Sequence, residues 1–228
     1  MSPLVSSSSS LGLLTTNPKI VTNGLTLYLD ASQTTSYTSG TTWKDLSGRG
    51  SDCSLTNSPT FSNSNGGKFI FNGNTQWGTC SGTPLSVNSY TKFVWFRMTN
   101  TASNNNIVSG SPGHFMFFSG TSTLYCGHGD WGNYNAYPST TTFSTSTWYN
   151  ACLTFNTTDG MTLYINGSLD STYTALKTPA TSGNIEIAAF AAGNLLIGDV
   201  AHVLVYNRSL SAAEVKQNYL VTKGRFGL

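Results

Sequence analysis

The sequence has little charge, which excludes several classes of partner. Only 9% of its 228 residues are charged, against roughly 25% in an ordinary globular domain. The net charge of +2 provides no long-range field that would attract nucleic acid or an anionic membrane. No apolar run approaches the ~20 residues that a membrane-spanning helix needs. We therefore expect neither a nucleic-acid partner nor membrane insertion.

The sequence also lacks the carboxylate pairs on which glycoside hydrolysis depends. Such enzymes place two carboxyl groups about 5–10 Å apart across the scissile bond. The only glutamates are Glu186, which has no acidic residue two positions away on either side, and Glu214, which is placed to cap a helix. A Gly-x-Ser-x-Gly nucleophile motif is absent as well. The sequence predicts no catalytic residue and no enzyme activity.

Cysteine is scarce, and its spacing does not predict a metal site. Cys53, Cys80, Cys126 and Cys152 could pair in three ways. There is no C-x-x-C pair, so a structural zinc site is not expected. Because no secretion signal is recognisable, we expect reduced thiols during synthesis.

What the sequence does contain is a β-hairpin between Trp148 and Leu169. Apolar and polar residues alternate on both sides of Asp159-Gly160, a dipeptide typical of tight hairpin turns. A second turn at Asn166-Gly167 predicts a third strand from about Leu169. The same patterns predict strands at 24–30, 67–72, 92–99, 113–119, 123–128, 148–156, 161–166, 185–190, 194–198 and 199–206.

One helix is predicted near the end of the chain. Ser211 and Glu214 form a capping box, and the residues from Ala212 to Leu220 are mostly good helix formers. Gly224 is the expected stop.

Three segments of the chain resemble laminin-G-like domains of the concanavalin A-like lectin/glucanase superfamily. They are the opening segment from Gly24 to Gly50, the hairpin, and the closing strand and helix from Gly198 to Ser211. In the hairpin the resemblance lies in Trp148, Tyr149, Thr154, Phe155, Leu163, Tyr164, Ile165, Asn166 and Gly167. It implies an all-β, two-sheet antiparallel jelly-roll sandwich with one short C-terminal helix, and it implies little about function, since the superfamily includes lectins, enzymes and structural modules.

The resemblance covers residues 20–223, which we predict to be one β-sandwich domain. Residues 1–19 are predicted to be a flexible, Ser-rich arm, and residues 224–228 a short tail. The arm is either a disordered end or a segment that becomes ordered on a neighbouring subunit. In the second case its apolar anchor is Val5, Leu11, Leu13 and Leu14.

Two segments are candidates for glycan binding. An exposed aromatic ring stacks on the apolar face of a sugar while Asp and Asn side chains bind its hydroxyls. One predicted loop supplies these types in Asp130, Trp131, Asn133 and Tyr134, and a second in Asn74 and Trp77. The first has two alternative interpretations: a loop packed on a sheet edge, or a weak metal site formed by Cys126, His128 and Asp130 at period two. No cofactor is predicted, and Ca²⁺ is left open because no Asp-rich loop supports it.

The end of the chain, from Val203 to Leu228, resembles laminin-G-like proteins encoded by tailed bacteriophages. On this resemblance we hypothesise a non-enzymatic virion structural protein, either a capsid decoration or a tail or fibre component, assembled in the host cytoplasm. Its expected partners are other virion proteins, further copies of itself and host surface polysaccharide. The alternative is a stand-alone carbohydrate-binding lectin, with a glycoside hydrolase third.

Overall fold

The computed structural model describes residues 19–82, 85–101, 103–110, 113–130, 133–174 and 177–228. Its regular elements are seventeen strands and one α-helix within these ranges. They are β1 (Leu25–Asp30), β2 (Thr42–Trp43), β3 (Cys53–Thr56), β4 (Thr60–Ser62), β5 (Lys68–Asn72), β6 (Trp77–Ser81), β7 (Ser89–Met98), β8 (Ser103–Asn106), β9 (Val108–Ser109), β10 (His114–Ser119), β11 (Thr123–Asp130), β12 (Asn133–Thr142), β13 (Tyr149–Asn156), β14 (Gly160–Ile165), β15 (Ser168–Tyr173), β16 (Asn184–Ile187), β17 (Ile197–Tyr206) and α1 (Ala212–Thr222).

The strands form two layers around a continuous apolar core. One layer is an eight-stranded sheet in the order β15-β14-β13-β7-β17-β5-β4, with β1 also paired to β17. The other layer contains a four-stranded sheet, β12-β11-β10-β8, and a five-stranded sheet, β2-β3-β6-β16-β9. All pairings in these ladders are antiparallel, and side chains from all three sheets meet in one core cluster. The predicted jelly-roll sandwich is confirmed.

Strand β7 lies in the middle of the large sheet and is buried on both faces. Val94 and Phe96 point into the core between the layers, whereas Phe93 and Trp95 belong to a second apolar cluster on the other side of the sheet. The sequence predicts such a strand because its residues are apolar at successive positions. The cover on the outer side is α1 and the residues that follow it.

The predicted hairpin is confirmed. Thr154 is paired with Thr162 and Asn156 with Gly160, and the third strand is β15. Segments 194–198 and 199–206, predicted as separate strands, form the single strand β17, which has a register shift between Val200 and His202. The pattern did not predict β2, β3, β4, β6, β8, β9 and β12, because these strands are short or mainly polar.

The capping box is confirmed, but the predicted helix stop is wrong. The Ser211 side chain accepts a hydrogen bond from the Glu214 N–H, and the Glu214 side chain bonds back to the Ser211 backbone. Helical conformation does not end at Gly224. A 3-10 helix, Lys223–Phe226, follows α1 and ends at Gly227, which has a φ of +75°. A short 3-10 turn tolerates glycine within it because it makes few regular hydrogen bonds.

Two of the four cysteines differ from the expectation of reduced thiols. Cys53 and Cys80 lie opposite each other on β3 and β6 and form a disulfide. The strand register brings these Cα atoms to 4.0 Å, a relation that sequence spacing does not reveal. Cys126 and Cys152 are free and buried. Among the described residues no helix is long and apolar enough to span a membrane.

Candidate aromatic binding face

The outward side of the four-stranded sheet carries a group of aromatic side chains that we call the open face. It is formed by Phe115 and Phe117 on β10, Tyr125 on β11 and Tyr134 on β12. Successive strand residues point to opposite sides of a sheet. The alternate residues of the same strands, including Met116, Phe118, Leu124 and Cys126, point into the core.

The rings of the open face form a continuous series. The ring centroids of Tyr134 and Phe115 are 4.9 Å apart, those of Phe115 and Phe117 6.2 Å, and those of Phe117 and Tyr125 5.7 Å. Tyr134 is 55% exposed, Phe117 and Tyr125 are half-buried, and Phe115 is buried beneath its neighbours. Apolar rings that stay partly exposed in this way mark a surface suited to a ligand or a partner.

The floor of the open face is low because small residues lie between the rings. The register places Gly127 beside Phe115 on one strand and Ala136 on the other, and pairs Gly129 with Tyr134. A side chain added at Gly127 would collide with the main chain of β12. Glycine is therefore required there by the close approach of the strands, and the shallow floor is a consequence.

A loop of unusual conformation supplies one more ring. Phe190 packs edge-on against Phe115 at 5.3 Å. Around it Ala188, Ala191 and Ala192 have φ of +62°, +53° and +53°, values that L-residues with a Cβ adopt at a cost. The loop is fixed from below by the Glu186 carboxylate, which accepts a hydrogen bond from the Ala192 N–H at 3.2 Å.

Buried polar side chains lie under the open face, between the layers. The Tyr90 hydroxyl is 2.9 Å from Nδ1 of His128, and Nε2 of His128 is 2.8 Å from the Lys177 carbonyl oxygen. Nε2 of His114 meets the Ala180 carbonyl in the same way. Because a carbonyl only accepts, Nε2 carries the proton in both rings. Burial lowers the pKa of His128 to about 4 and that of His114 to about 3.

Lys92 also lies in this buried region and supports the open face from below. Its Nζ donates to the carbonyl oxygens of Val108 and Phe115, at 3.2 and 3.1 Å. Burial lowers the pKa of this amine to about 8. The main chain of Phe115 is thus held on the inner side while its ring contributes to the outer side.

The structure brings together only part of the first predicted glycan site. Tyr134 and Asn133 lie at the start of β12, both exposed, and Tyr134 is the most exposed ring of the open face. They belong to a strand and not to the expected loop, because β11 and β12 pair up to Asp130 and Asn133. Trp131 and the Asp130 side chain lie outside the described residues, as do the arm residues Val5, Leu11, Leu13 and Leu14.

The second predicted site lies on other sheets. Asn74 is exposed in the turn between β5 and β6, and its N–H bonds to the Asn72 side chain at 2.9 Å. Trp77 is the first residue of β6, paired with Thr56, and not part of a loop. The two predicted glycan-binding segments therefore lie on different sheets.

Sequence reasoning missed Phe115, Phe117, Tyr125 and Phe190. The signal was present in the segment from His114 to Ser119, which is apolar on both alternating faces. For a strand in an outer layer, one of these faces must point away from the core.

The described acidic side chains serve structural roles. Asp30 pairs with Arg225, Asp199 with Lys68 and Arg97, and Glu214 with Arg208. Main-chain N–H groups bond to the carboxylates of Asp45, Asp52, Asp170 and Glu186, and the Asn156 amide bonds to that of Asp159. Within the described ranges no cluster of three metal-binding side chains occurs. Cys126 and His128 do share the inner face of β11, but the Asp130 side chain is outside the described residues.

A sequence profile for laminin G domains, described as concanavalin A-like lectin/glucanases superfamily, matches residues 72–216. This match covers well over half of the chain. The chain belongs to the concanavalin A-like lectin/glucanases superfamily. No curated protein matches the sequence at a significant level.

Solved structures similar to this superfamily member include binding domains of botulinum neurotoxins and of a mosquitocidal protein. The botulinum neurotoxin type G receptor-binding domain has a TM-score of 0.68 and 18% identity, over 87% of this chain and 51% of that one. The binding domain of Paraclostridial mosquitocidal protein 1 has a TM-score of 0.68 and 17% identity, over 87% and 52%. A third structure is of botulinum neurotoxin type C, whose cell entry is dependent upon interaction with two ganglioside molecules. It has a TM-score of 0.69 and 13% identity, over 88% of this chain and 52% of that one.

This likeness establishes a lectin-like sandwich fold. The chain spans about half the length of these toxin domains, and the identities are low. The ligands of the whole toxin domains therefore belong to those proteins, and the site on this chain must be argued from its own residues.

Proposed function

We propose that this protein is a non-catalytic carbohydrate-binding module and that the open face is its glycan site. The observation that carries the proposal is the continuous series of rings from Tyr134 through Phe115 to Phe117 and Tyr125 on one outward surface. Aromatic rings bind the C–H face of a sugar, and the phenolic hydroxyls of tyrosine can exchange hydrogen bonds with its hydroxyl groups.

A non-catalytic role is supported by the use of the carboxylates. Glu186, the glutamate outside the helix cap, is buried on β16 and accepts a hydrogen bond from the main chain of the loop that follows. The ion pairs of Asp30, Asp199 and Glu214 hold the fold together. Hydrolysis would need one carboxyl group to protonate the leaving oxygen and another to attack or to activate water.

A glycan array probed with the recombinant chain tests the proposal, followed by titration of the best glycan in EDTA and in Ca²⁺. Tyr134→Ala should weaken binding about tenfold, because it removes the most exposed ring. Leu169→Ala is the matched control, since Leu169 is 65% exposed on β15 in the other layer. Loss of affinity in both variants, or no binding by the wild type, would refute the assignment. Binding in Ca²⁺ but not in EDTA would show that the glycan site includes a calcium ion.

The setting that we propose for this activity is a virion, where the module would attach a bacteriophage to host polysaccharide. What supports this setting is sequence alone: the resemblance of the C-terminal segment to phage-encoded proteins and the apolar arm with Leu11, Leu13 and Leu14. Mass spectrometry of purified particles tests it, and absence of the chain from them would remove it. Deletion of residues 1–19 should leave the sandwich folded and weaken assembly with other virion proteins.

A further inference from the structure

Building on the proposed glycan site, we infer that the open face binds an uncharged saccharide chain that spans more than one sugar ring. Two independent features support this: the charge of the surface and the spacing of its rings.

Among the described residues, the outward positions of β10–β12 offer no cation to an acidic sugar. The outward residues of β10–β12 across the open face are all neutral: Phe115, Phe117, Tyr125, Gly127, Gly129, Tyr134, Ala136 and Pro138. Sialic acids and uronic acids carry a carboxylate, which proteins usually recognise through Arg or Lys. An acidic glycan lying on these rings would lose water from its carboxylate without gaining a charged partner.

Asp130 ends β11, with a side chain outside the described residues, and two further charged residues lie close to these strands. Asp170 on β15 accepts hydrogen bonds from the N–H groups of Thr140 and Thr141, near the far end of β12. A negative charge there disfavours a second carboxylate. The main-chain N–H of Lys177 donates a hydrogen bond to Oδ1 of Asn135. Asn135 lies on the opposite side of β12 from Tyr134.

A ligand that contacts both ends of the ring series must be longer than one sugar. Tyr134 and Pro138 are four residues apart on β12, and Pro138 pairs with Tyr125. At the usual strand rise, the level of Pro138 and Tyr125 therefore lies about 13 Å from Tyr134 along the strand direction. A single pyranose cannot cover that distance, whereas a chain can contact Tyr134 at one end and Tyr125 with Phe117 at the other.

The floor between these ends is shaped for a chain to pass. On β11 and β12, Gly127 and Ala136 lie between Tyr134 at one end and Tyr125 at the other, so no large side chain of these two strands separates the ends. On β10, beside Gly127, the buried Phe115 ring is backed by Phe190 and forms the apolar side of this floor. A flexible chain pays an ordering cost on binding, and a rigid, preformed surface limits that cost.

The test is a titration of glycans that differ in length and charge. An array carrying neutral and acidic glycans of one to six rings identifies the sugar, and calorimetry then measures a length series of the best neutral glycan. Affinity should rise at least about tenfold from one ring to three and then level off. Tyr134→Ala and Tyr125→Ala should each lower affinity for the longer glycans about five- to tenfold. Leu169→Ala, on β15 in the other layer, should leave the affinity unchanged.

The outcomes separate this inference from the proposed function. Equal affinity for one ring and for three, or preference for an acidic glycan, would overturn the inference and leave glycan binding standing. Absence of binding to every glycan would overturn both. Self-association in sedimentation that Tyr134→Ala abolishes, without any glycan binding, would assign the open face to a second copy of the chain and also overturn both.

Discussion

The two outward faces of the sandwich are both rich in aromatic residues, yet within the part of the chain that the structure describes only one of them is covered by other residues of the chain. On the large sheet, Phe226 stacks on Trp95 at 4.1 Å between ring centroids and packs against Trp148 at 4.7 Å. We call this the covered face. On the open face, Tyr134 remains 55% exposed. The comparison shows that aromatic content alone does not indicate a binding site, because the position of the C-terminal segment decides which rings remain available.

The covered face is held by polar contacts as well as by stacking. The Arg225 guanidinium bonds to Asp30 at 2.6 Å and to the Gly67 carbonyl at 3.0 Å. Trp95 Nε1 donates to the Thr222 hydroxyl at 2.7 Å. The predicted C-terminal tail is docked on its own domain through Arg225 and Phe226.

Acid should produce the largest change in stability, and it should affect both faces. Burial lowers the pKa of His114 to about 3, of His128 to about 4 and of His202 to about 4. The unfolded chain, with a histidine pKa near 6.5, binds more protons below pH 6.5, so the free energy of unfolding falls as the pH falls toward 4. The expected loss from pH 7 to pH 5 is about 2 kcal/mol for each histidine. Urea unfolding at several pH values measures it.

His202→Leu isolates the part of the pH dependence of stability that comes from the covered face. Both ring nitrogens of His202 are buried without a hydrogen-bond partner, in a setting that includes Tyr28, Asp30 and Arg225. The variant should lose about a third of the pH dependence and be more stable than the wild type at pH 5. A variant with unchanged pH dependence would show that His202 titrates normally in the folded protein.

Removing one ring from each face should give very different losses of stability. Phe226→Ala should lower the free energy of unfolding by about 3 kcal/mol, because it empties a buried aromatic site. Tyr134→Ala should cost less than about 0.5 kcal/mol, since its ring is mainly exposed. Equal losses, measured by urea unfolding at pH 7, would mean that the two faces are covered to the same extent.

The loop next to the open face should respond to glycine with a gain. Ala191→Gly and Ala192→Gly should each stabilise the protein by about 0.5–1 kcal/mol, because glycine adopts positive φ without strain. Ala189→Gly is the control, since Ala189 lies in the same loop but is not among the residues with positive φ. It should destabilise by a similar amount. Thermal unfolding distinguishes these results, and a loss in the first two variants would contradict the argument from strain.

What could be predicted from the sequence depends on how far apart along the chain the contacting residues are. The hairpin, the capping box and the sandwich class depend on local alternation and on residues a few positions apart, and all three were predicted. The Cys53–Cys80 pair, the docking of Phe226 and the ring series of the open face depend on strand register between distant segments. The pattern predicted Tyr134 from its residue type, but not its neighbours Phe115 and Phe117.

The most direct test of the central claim is glycan titration of an open-face and a covered-face variant side by side, at a temperature where both are folded. The account predicts that Tyr125→Ala combined with Tyr134→Ala lowers the glycan affinity at least about twenty-five-fold, while the melting temperature stays close to that of the wild type. Phe226→Ala should melt several degrees earlier and keep its affinity. Full glycan affinity in the open-face double variant would contradict the account.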